Sequence, residues 1–289
     1  MKKRYKSITL NSDDKRVKIP IKRYLVAYLD ILGQGDILRS LQSEFSNIYE
    51  TDIGLDEEIM DKFASAAIPV LIFRDSFNSN IEIATRSILT KHVHLKSLKI
   101  PTGTISVSDG MFIWAELDNT HELIEMLTLN VIFIALGLTY FALIADGIYF
   151  RGAVTISYGF EHPKYKDYYG PGLARSYAME SMETGFPRII LDDNIMRLLG
   201  THIKMGKKEK TWAASGKLAY YLWQKYIVGI KDQSITKNTL FPAEIMLKED
   251  KTIQLYNKAM NNVIEKVENN TEHKDKYEKL LKLFQSVYN

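Results

Sequence analysis

The most constraining feature of this sequence is a long apolar segment, Leu127–Ala145, whose length approaches that of a membrane-spanning helix. Polar residues within it, Asn130 and Thr139, and acidic residues on its flanks, Glu125 and Asp146, argue against a membrane span. No cluster of lysines or arginines beside it would set an orientation across a bilayer. The segment therefore favours a helix buried on most of its faces. Such a helix needs a sheet on one side and another element, such as a second subunit, on the other.

The composition indicates a globular protein with a large core. Of the 289 residues, 46% are hydrophobic and 25% are charged. The net charge of +3 is too small to indicate a nucleic-acid-binding face, so no nucleic-acid partner is expected. The absence of cysteine excludes disulfides, thiolate catalysis and zinc–thiolate sites. No signal-peptide pattern follows the charged N-terminus, so we expect a cytoplasmic protein without a membrane span.

Two local patterns predict strands. Residues Tyr24–Leu32 are apolar on both faces of an extended chain, which is typical of a central strand covered on two sides. A glycine turn at 33–35 follows it, and Asp36 is predicted to cap the next helix. Further on, Thr102–Val107 and Met111–Ala115 flank an Asp-Gly pair, which is a strong hairpin signal because glycine tolerates a positive φ.

The remaining patterns alternate between helix and strand. The predicted elements are helices within 57–67 and 81–98, a strand over 147–158, a helix over 173–183, a strand over 188–191, and helices over 218–228 and 251–287. The order predicts an α+β fold in which helices pack on an antiparallel sheet. We divide the chain into a polar arm (1–22), a catalytic domain (23–192) and a mostly helical extension packed on the same domain (193–289).

Two aspartates carry the predicted chemistry. Asp30 ends the central strand, where a carboxylate is costly unless it is paired or binds a metal, and Asp109 lies in the hairpin turn. Together with the backbone carbonyl of Ile31, they could bind two divalent ions, Mg²⁺ or Mn²⁺. The glycine turn, with Gly33, Gln34 and Gly35 as candidate substrate-binding residues, could present backbone N–H groups to phosphates. Taken singly, Asp109 could be only a turn residue, and Asp30 a helix cap or the partner of an arginine.

Four segments together resemble the class III nucleotide cyclase homology domain. They are YLDILGQG (28–35), TISVSDGMFIW (104–114), FRGAVTISYG (150–159) and YYGPGLARSYAMESMETGFPRIIL (168–191), and they cover about residues 22–192. The last two segments are most similar to those of the Pycsar cyclases, bacterial antiphage enzymes that make cyclic pyrimidine nucleotides. The resemblance implies a palm-type, ferredoxin-like sheet. It also implies a separate effector that senses the cyclic nucleotide.

The resemblance assigns roles to individual positions. Asp30 and Asp109 match the two metal-binding aspartates, and Ile31 matches the residue that contributes its carbonyl. Tyr28 matches an aromatic position near the nucleotide. Because family members pair head to tail, the resemblance also implies a homodimer in which each site contains residues of both chains.

The departures from the family pattern concern the base and the transition state. Ile105 stands where purine-specific relatives have a base-reading lysine, and Ala174 and Ala178 stand where they have asparagine and arginine. A pyrimidine triphosphate, UTP more than CTP, therefore fits the resemblance better than a purine. Arg175, three residues before Ala178, is the candidate for the missing catalytic cation. Arg151 is a second candidate contact to substrate, although a structural partner of a carboxylate is the favoured role.

Two other functions remain open. One is a degenerate cyclase-like module that binds a nucleotide or a partner without turnover, which the missing asparagine and arginine motivate. The other is an adenylate or guanylate cyclase with unusual base contacts. P-loop, zincin and serine-hydrolase motifs do not occur in the sequence.

Overall fold

The computed structural model describes residues 7–12, 15–46, 57–91, 100–117, 121–208, 213–232, 235–269 and 273–286. The strands are β1 Ser7–Ser12, β2 Lys15–Pro20, β3 Lys22–Ile31, β4 Thr102–Val107, β5 Gly110–Leu117, β6 Phe150–Glu161, β7 Tyr168–Tyr169, β8 Ile189–Leu191, β9 Ile227–Asp232 and β10 Ile235–Leu240. The helices are α1 Gln34–Ser46, α2 Glu57–Lys91, α3 Glu122–Ala145, α4 Pro171–Glu183, α5 Asp193–Lys208, α6 Ala214–Tyr226, α7 Ala243–Met246, α8 Asp250–Asn269 and α9 Lys274–Gln285.

A single mixed sheet forms the centre of the structure. Its order is β4-β5-β3-β6-β8-β10-β9, and β7 pairs with β6 at one side. All neighbouring strands are antiparallel except β6 and β8, which run parallel. The first four strands in this order follow a β-αα-ββ-α-β succession in the chain, with β3 between β5 and β6, as in ferredoxin-like domains. The predicted α+β class is confirmed, with helices packed on a sheet that is mostly antiparallel, and the parallel pair of β6 and β8 is the departure from the prediction.

Alternation along β3 divides its side chains between two faces. Leu25, Leu29 and Ile31 enter the main core on one face, together with residues of α2, α3, α8 and α9. Tyr24 and Val26 point to the opposite face, where they pack with residues near the start of α4. Because both faces are covered, β3 is apolar almost throughout, as its sequence predicts.

The long apolar segment is the core helix α3. Its most apolar window is 83% buried within the protein, as expected for a core helix rather than a membrane span. The face of α3 that points away from the sheet does not need a second subunit to bury it, because α2, α6 and α8 of the same chain pack against α3. The buried hydroxyl of Thr139 accepts a hydrogen bond from Asn80 Nδ2 at 3.0 Å. This polar residue therefore has a hydrogen-bond partner inside the core.

Several element predictions need correction. Residues 57–91 form one helix that contains Pro69, where the sequence suggested separate helical stretches, and residues 92–98 lie outside the described part. Helix α1 already begins at Gln34, so Asp36 lies within its first turn and not at the N-cap position that the sequence predicts. The aromatic helix stops at Tyr226, where β9 begins.

The two flanking regions are more structured than their compositions suggest. Within the segment 1–22, the described residues form the antiparallel pair β1–β2. The segment 193–289 contains helices but also β9 and β10, and β10 pairs with β8. The C-terminal region therefore extends the same sheet as well as packing on it.

Candidate active site

Strand register brings the two aspartates to one end of the sheet. Asp30 lies opposite Gly110 on β5 and opposite Arg151 on β6. Asp109 immediately precedes Gly110, and its carbonyl oxygen accepts a hydrogen bond from the N–H of Ile31 at 3.4 Å. A backbone hydrogen bond therefore joins the hairpin turn directly to the end of the central strand.

The turn itself has an unusual backbone. Val107 pairs with Gly110, so the loop consists of Ser108 and Asp109 alone. The positive φ, 54°, falls on Ser108 and not on the glycine, contrary to the prediction from the Asp-Gly pair. A positive φ at the first of two loop residues is the pattern of a type II′ hairpin turn.

Gly110 is required for a different reason. A Cβ on Gly110 would lie 2.4 Å from the hydroxyl oxygen of Tyr28, which is too close for any side chain. The Tyr28 hydroxyl donates a hydrogen bond to Asp30 Oδ1 at 3.3 Å. The glycine thus makes room for the tyrosine that contacts the aspartate.

Asp30 lies in surroundings that oppose its ionisation. Burial and the nearby carboxylates of Glu180 and Asp109 raise the pKa of Asp30 to about 6, while Arg151 and Tyr28 act in the opposite direction. The nearest guanidinium atom, Arg151 Nη2, is 3.9 Å from Asp30 Oδ2. An ionised carboxylate at this position is therefore under electrostatic strain that a cation would relieve.

Glu180 is the residue that sequence reasoning missed. It lies on α4, is only 1% exposed, and forms an ion pair with Arg151 Nε. Burial raises the pKa of Glu180 in spite of this arginine. A usable signal existed, because Gly172, Ser176 and Glu180 recur every four residues and all three face inward on the helix.

Arg151 therefore lies between two carboxylates. Its guanidinium forms an ion pair with Glu180 and lies 3.9 Å from Asp30 Oδ2, so within this chain Arg151 is the partner of a buried carboxylate.

Arg175, the candidate cation, has other partners within the chain. Its Nε donates a hydrogen bond to Asp192 Oδ2 at 3.1 Å, and its Nη1 lies 3.6 Å from Glu183 Oε1. Burial opposes ionisation of Asp192, but hydrogen bonds from Arg175 and Thr155 hold the pKa of this carboxyl below its usual range. The Arg175 side chain is 50% exposed, so it remains accessible to a second molecule.

An aromatic group adjoins the aspartates. The ring of Tyr28 packs on Phe112 at 4.5 Å and on Tyr177 of α4 at 5.2 Å between centroids. Ile105, at the position of the base-reading lysine, lies opposite Phe112 in the β4–β5 ladder and is 43% exposed. The surroundings of Tyr28 are thus largely apolar.

The predicted phosphate turn joins β3 to α1. Gly33 has φ 87°, a conformation that favours glycine, and Gln34 begins the helix. A Cβ on Gly35 would meet only Arg39 Nη2, at 3.8 Å, so that glycine is not sterically required. Gly33 and Gln34 also line a cavity together with Ile31, whose side chain lies on the face opposite Asp30.

The donor set can be compared with the needs of a divalent ion. Within the described ranges, no three acidic, histidine or cysteine side chains are grouped around one point. Asp30 and Asp109 nevertheless supply carboxylate oxygens beside the backbone of Ile31, and oxygen is the ligand that Mg²⁺ and Mn²⁺ prefer. Burial first, and then the nearby carboxylates of Glu180 and Asp109, raise the pKa of Asp30, so a bound cation would stabilise its ionised form. These residues fit a divalent ion with few protein ligands.

Comparisons with known proteins give little further information. Neither the protein-family models nor the curated proteins contain a match. Among solved structures, the guanylyl cyclase Cya2 matches with a TM-score of 0.29 and 10% identity, over 77% of this chain and 91% of that chain. A similarity this low supports no conclusion about the site.

Proposed function

We propose that the protein is a nucleotide cyclase that converts a pyrimidine nucleoside triphosphate into the 3′,5′-cyclic nucleotide and pyrophosphate. The observation that carries the proposal is the register that sets Asp30 beside the Asp109 turn at one end of the sheet. Two carboxylates, one at the end of β3 and electrostatically strained and one in the adjoining hairpin turn, are suited to metal-assisted phosphoryl chemistry.

Each residue at the site has a proposed task. Asp30, Asp109 and the Ile31 carbonyl would hold Mn²⁺ or Mg²⁺, which when bound supplies activation of the 3′-hydroxyl and neutralisation of the triphosphate. Tyr28 orients the Asp30 carboxylate through its hydroxyl. Glu180 holds the Arg151 guanidinium to one side, which leaves Asp30 accessible to a cation.

The base preference rests on what surrounds Tyr28. Apolar Ile105 offers no hydrogen bond to a purine edge, and the rings of Phe112 and Tyr177 restrict the space beside the tyrosine. We favour UTP over CTP as substrate only from the family resemblance. The same resemblance motivates the wider proposal of a cytoplasmic antiphage enzyme whose product is sensed by a separate effector.

The proposed enzyme is a homodimer with shared sites. Within one chain Arg175 pairs with Asp192 and Glu183, so its proposed contact with the transition state would come from the partner chain. Exposed apolar side chains on α4, Tyr177 at 53% and Met182 at 84%, are available for such an interface.

The experiment is a product assay. Purified protein is incubated with Mn²⁺ and each of the four nucleoside triphosphates, and products are identified by mass spectrometry. We expect cyclic UMP or cyclic CMP, loss of product in Asp30→Ala and Asp109→Ala, and normal turnover in the matched control Asp146→Ala, whose carboxylate forms a surface ion pair with Lys258. A cyclic purine product would contradict the base preference, and no cyclic product from any triphosphate would contradict the enzyme.

A second candidate function is a nucleotide-binding module without turnover. The observation that favours it concerns Arg175, which we propose in place of the arginine that Ala178 lacks. Arg175 already donates a hydrogen bond to Asp192 within its own chain. In that case the triphosphate binds in the presence of Mn²⁺ and is recovered unchanged.

A further inference from the structure

The middle of α2 passes both loops that the sequence predicts to bind the substrate. Pro69 lies beside the glycine turn, because it lines one cavity together with Gln34. Five residues further along the helix, which is about 7.5 Å of axial rise, Arg74 reaches the hairpin turn. Its Nη2 donates a hydrogen bond to the carbonyl oxygen of Ser108 at 3.4 Å, and Asp109 is the next residue in the turn. Arg74 therefore lies at the same end of the sheet as both loops.

The Arg74 guanidinium has no anionic partner within the described part of the chain. It forms no ion pair there, and the neutral carbonyl of Ser108 is the only acceptor that it contacts. Its Nε is buried without a hydrogen-bond partner, so the side chain loses part of its hydration and gains one long hydrogen bond in return. A part-buried cation that is compensated this weakly favours an anion beside it.

The two arginines already considered for the substrate differ from Arg74 in this respect. Arg151 forms an ion pair with Glu180, and Arg175 forms one with Asp192. Of the three arginines, Arg74 alone has no carboxylate partner among the residues that the structure describes. Its guanidinium is therefore free to bind phosphate oxygens, which guanidinium groups contact through charge-assisted hydrogen bonds.

We propose that Arg74 contacts the terminal phosphates of the nucleoside triphosphate substrate through its guanidinium group. The inference rests on the proposed nucleotide cyclase and adds a substrate-binding residue from α2, which lies outside the segments that resemble the cyclase family. Its task differs from that of Arg175, because it binds the phosphates that leave as pyrophosphate and stabilises their negative charge. The hydrogen bond to Ser108 holds the guanidinium beside the turn before substrate binds, which reduces the entropy lost on binding.

The contact can be tested on the full chain by isothermal titration calorimetry in the presence of Mn²⁺. One probe is α,β-methylene UTP, which cannot be cyclised, and the other is tripolyphosphate, which has no base. Arg74→Met should weaken the binding of both probes about tenfold to a hundredfold, the loss expected for one charged hydrogen-bonding group. Arg74→Lys keeps the charge but not the planar fork of donors, so it should recover part of the affinity.

Arg86→Met is the matched control. Arg86 lies on the same helix, about 18 Å beyond Arg74, and forms an exposed ion pair with Glu82. This variant removes the same charge from α2 and should bind both probes like the wild type. A titration with Mn²⁺ alone tests whether Arg74 acts only by holding the hairpin turn, and Arg74→Met should bind Mn²⁺ like the wild type.

Three results would overturn the contact. One is equal affinity for the probes in Arg74→Met and Arg86→Met. Another is a loss of Mn²⁺ affinity in Arg74→Met that matches its loss of triphosphate affinity, which would make Arg74 a positioning residue for the Asp109 turn. The third is failure of the wild type to bind either probe.

Failure of the cyclase proposal is recognised separately. A wild-type protein that binds both probes but makes no cyclic product is a nucleotide-binding module. The affinities of the Arg74 variants still test the phosphate contact in that case, because neither probe requires turnover.

Discussion

Asp30 is expected to destabilise the metal-free protein, and the substitution Asp30→Asn measures by how much. The side chain is 20% exposed, and burial, together with Glu180 and Asp109, raises its pKa from 3.8 to about 6. Since each unit of pKa difference corresponds to 1.36 kcal/mol, ionised Asp30 costs about 3 kcal/mol of folding free energy. Asparagine has no charge and keeps an oxygen for the Tyr28 hydroxyl, so it removes this cost.

The effect has a defined pH dependence. The folded protein binds the Asp30 proton more tightly than the unfolded chain does, so the cost is absent below about pH 4. It grows as the pH rises from 4 to 6 and is complete above about pH 6. Asp30→Asn should therefore be about 3 kcal/mol more stable than the wild type at pH 8 and equally stable at pH 4.

The assay is urea unfolding in EDTA at pH 4 and pH 8, with Asp192→Asn as the matched control. Hydrogen bonds from Arg175 and Thr155 lower the pKa of Asp192, so the same exchange there should destabilise the protein at pH 8. The reasoning is refuted if Asp30→Asn is no more stable than the wild type at pH 8, or if its advantage is the same at both pH values.

Three further predictions follow from other contacts of the site. Glu180→Gln should release Arg151 toward Asp30 and so weaken Mn²⁺ binding about tenfold, measured by calorimetry. Adding Arg151→Gln to the same chain should restore the Mn²⁺ affinity. An unchanged affinity in Glu180→Gln would contradict this role for Glu180. Mixing inactive Asp30→Ala and Arg175→Ala chains should recover about a quarter of wild-type activity, because half of the dimers are mixed and each has one complete site; no recovery would argue against a shared site. Ser108→Gly should raise the free energy of unfolding by about 0.5–1 kcal/mol in a urea titration, because glycine tolerates the φ of 54°. A loss of stability would show that the serine side chain matters more than its backbone conformation.

The sequence predicts those parts of the fold that local patterns specify. The buried strand β3, the hairpin of β4 and β5 and the core helix α3 each have a distinct pattern, and each lies close to its expected position. Together they determine the α+β class, and the hairpin register then follows from the short turn.

What the sequence does not predict depends on contacts between distant segments. Pro69 normally interrupts a helix, yet α2 continues through it, because tertiary packing can outweigh local propensity. Strand β10 is recognisable only through its pairing with β8. At the site, the position of Asp109 follows from the hairpin turn that contains it. The ion pair of Glu180 with Arg151 joins α4 to β6, and the sequence indicates only that Glu180 lies on the inward face of its helix.

The pairing of β10 with β8 has a practical consequence for anyone who shortens this chain. Thr239 and Leu240 occupy the backbone hydrogen-bonding positions beside Ile190 and Ile189. A fragment that ends at residue 192 would leave β8 as an open strand edge, and it would also uncover the apolar side of α3 that α6 and α8 protect. Open edges next to apolar surface recruit other chains, so such a fragment is expected to self-associate rather than to behave as a minimal catalytic domain.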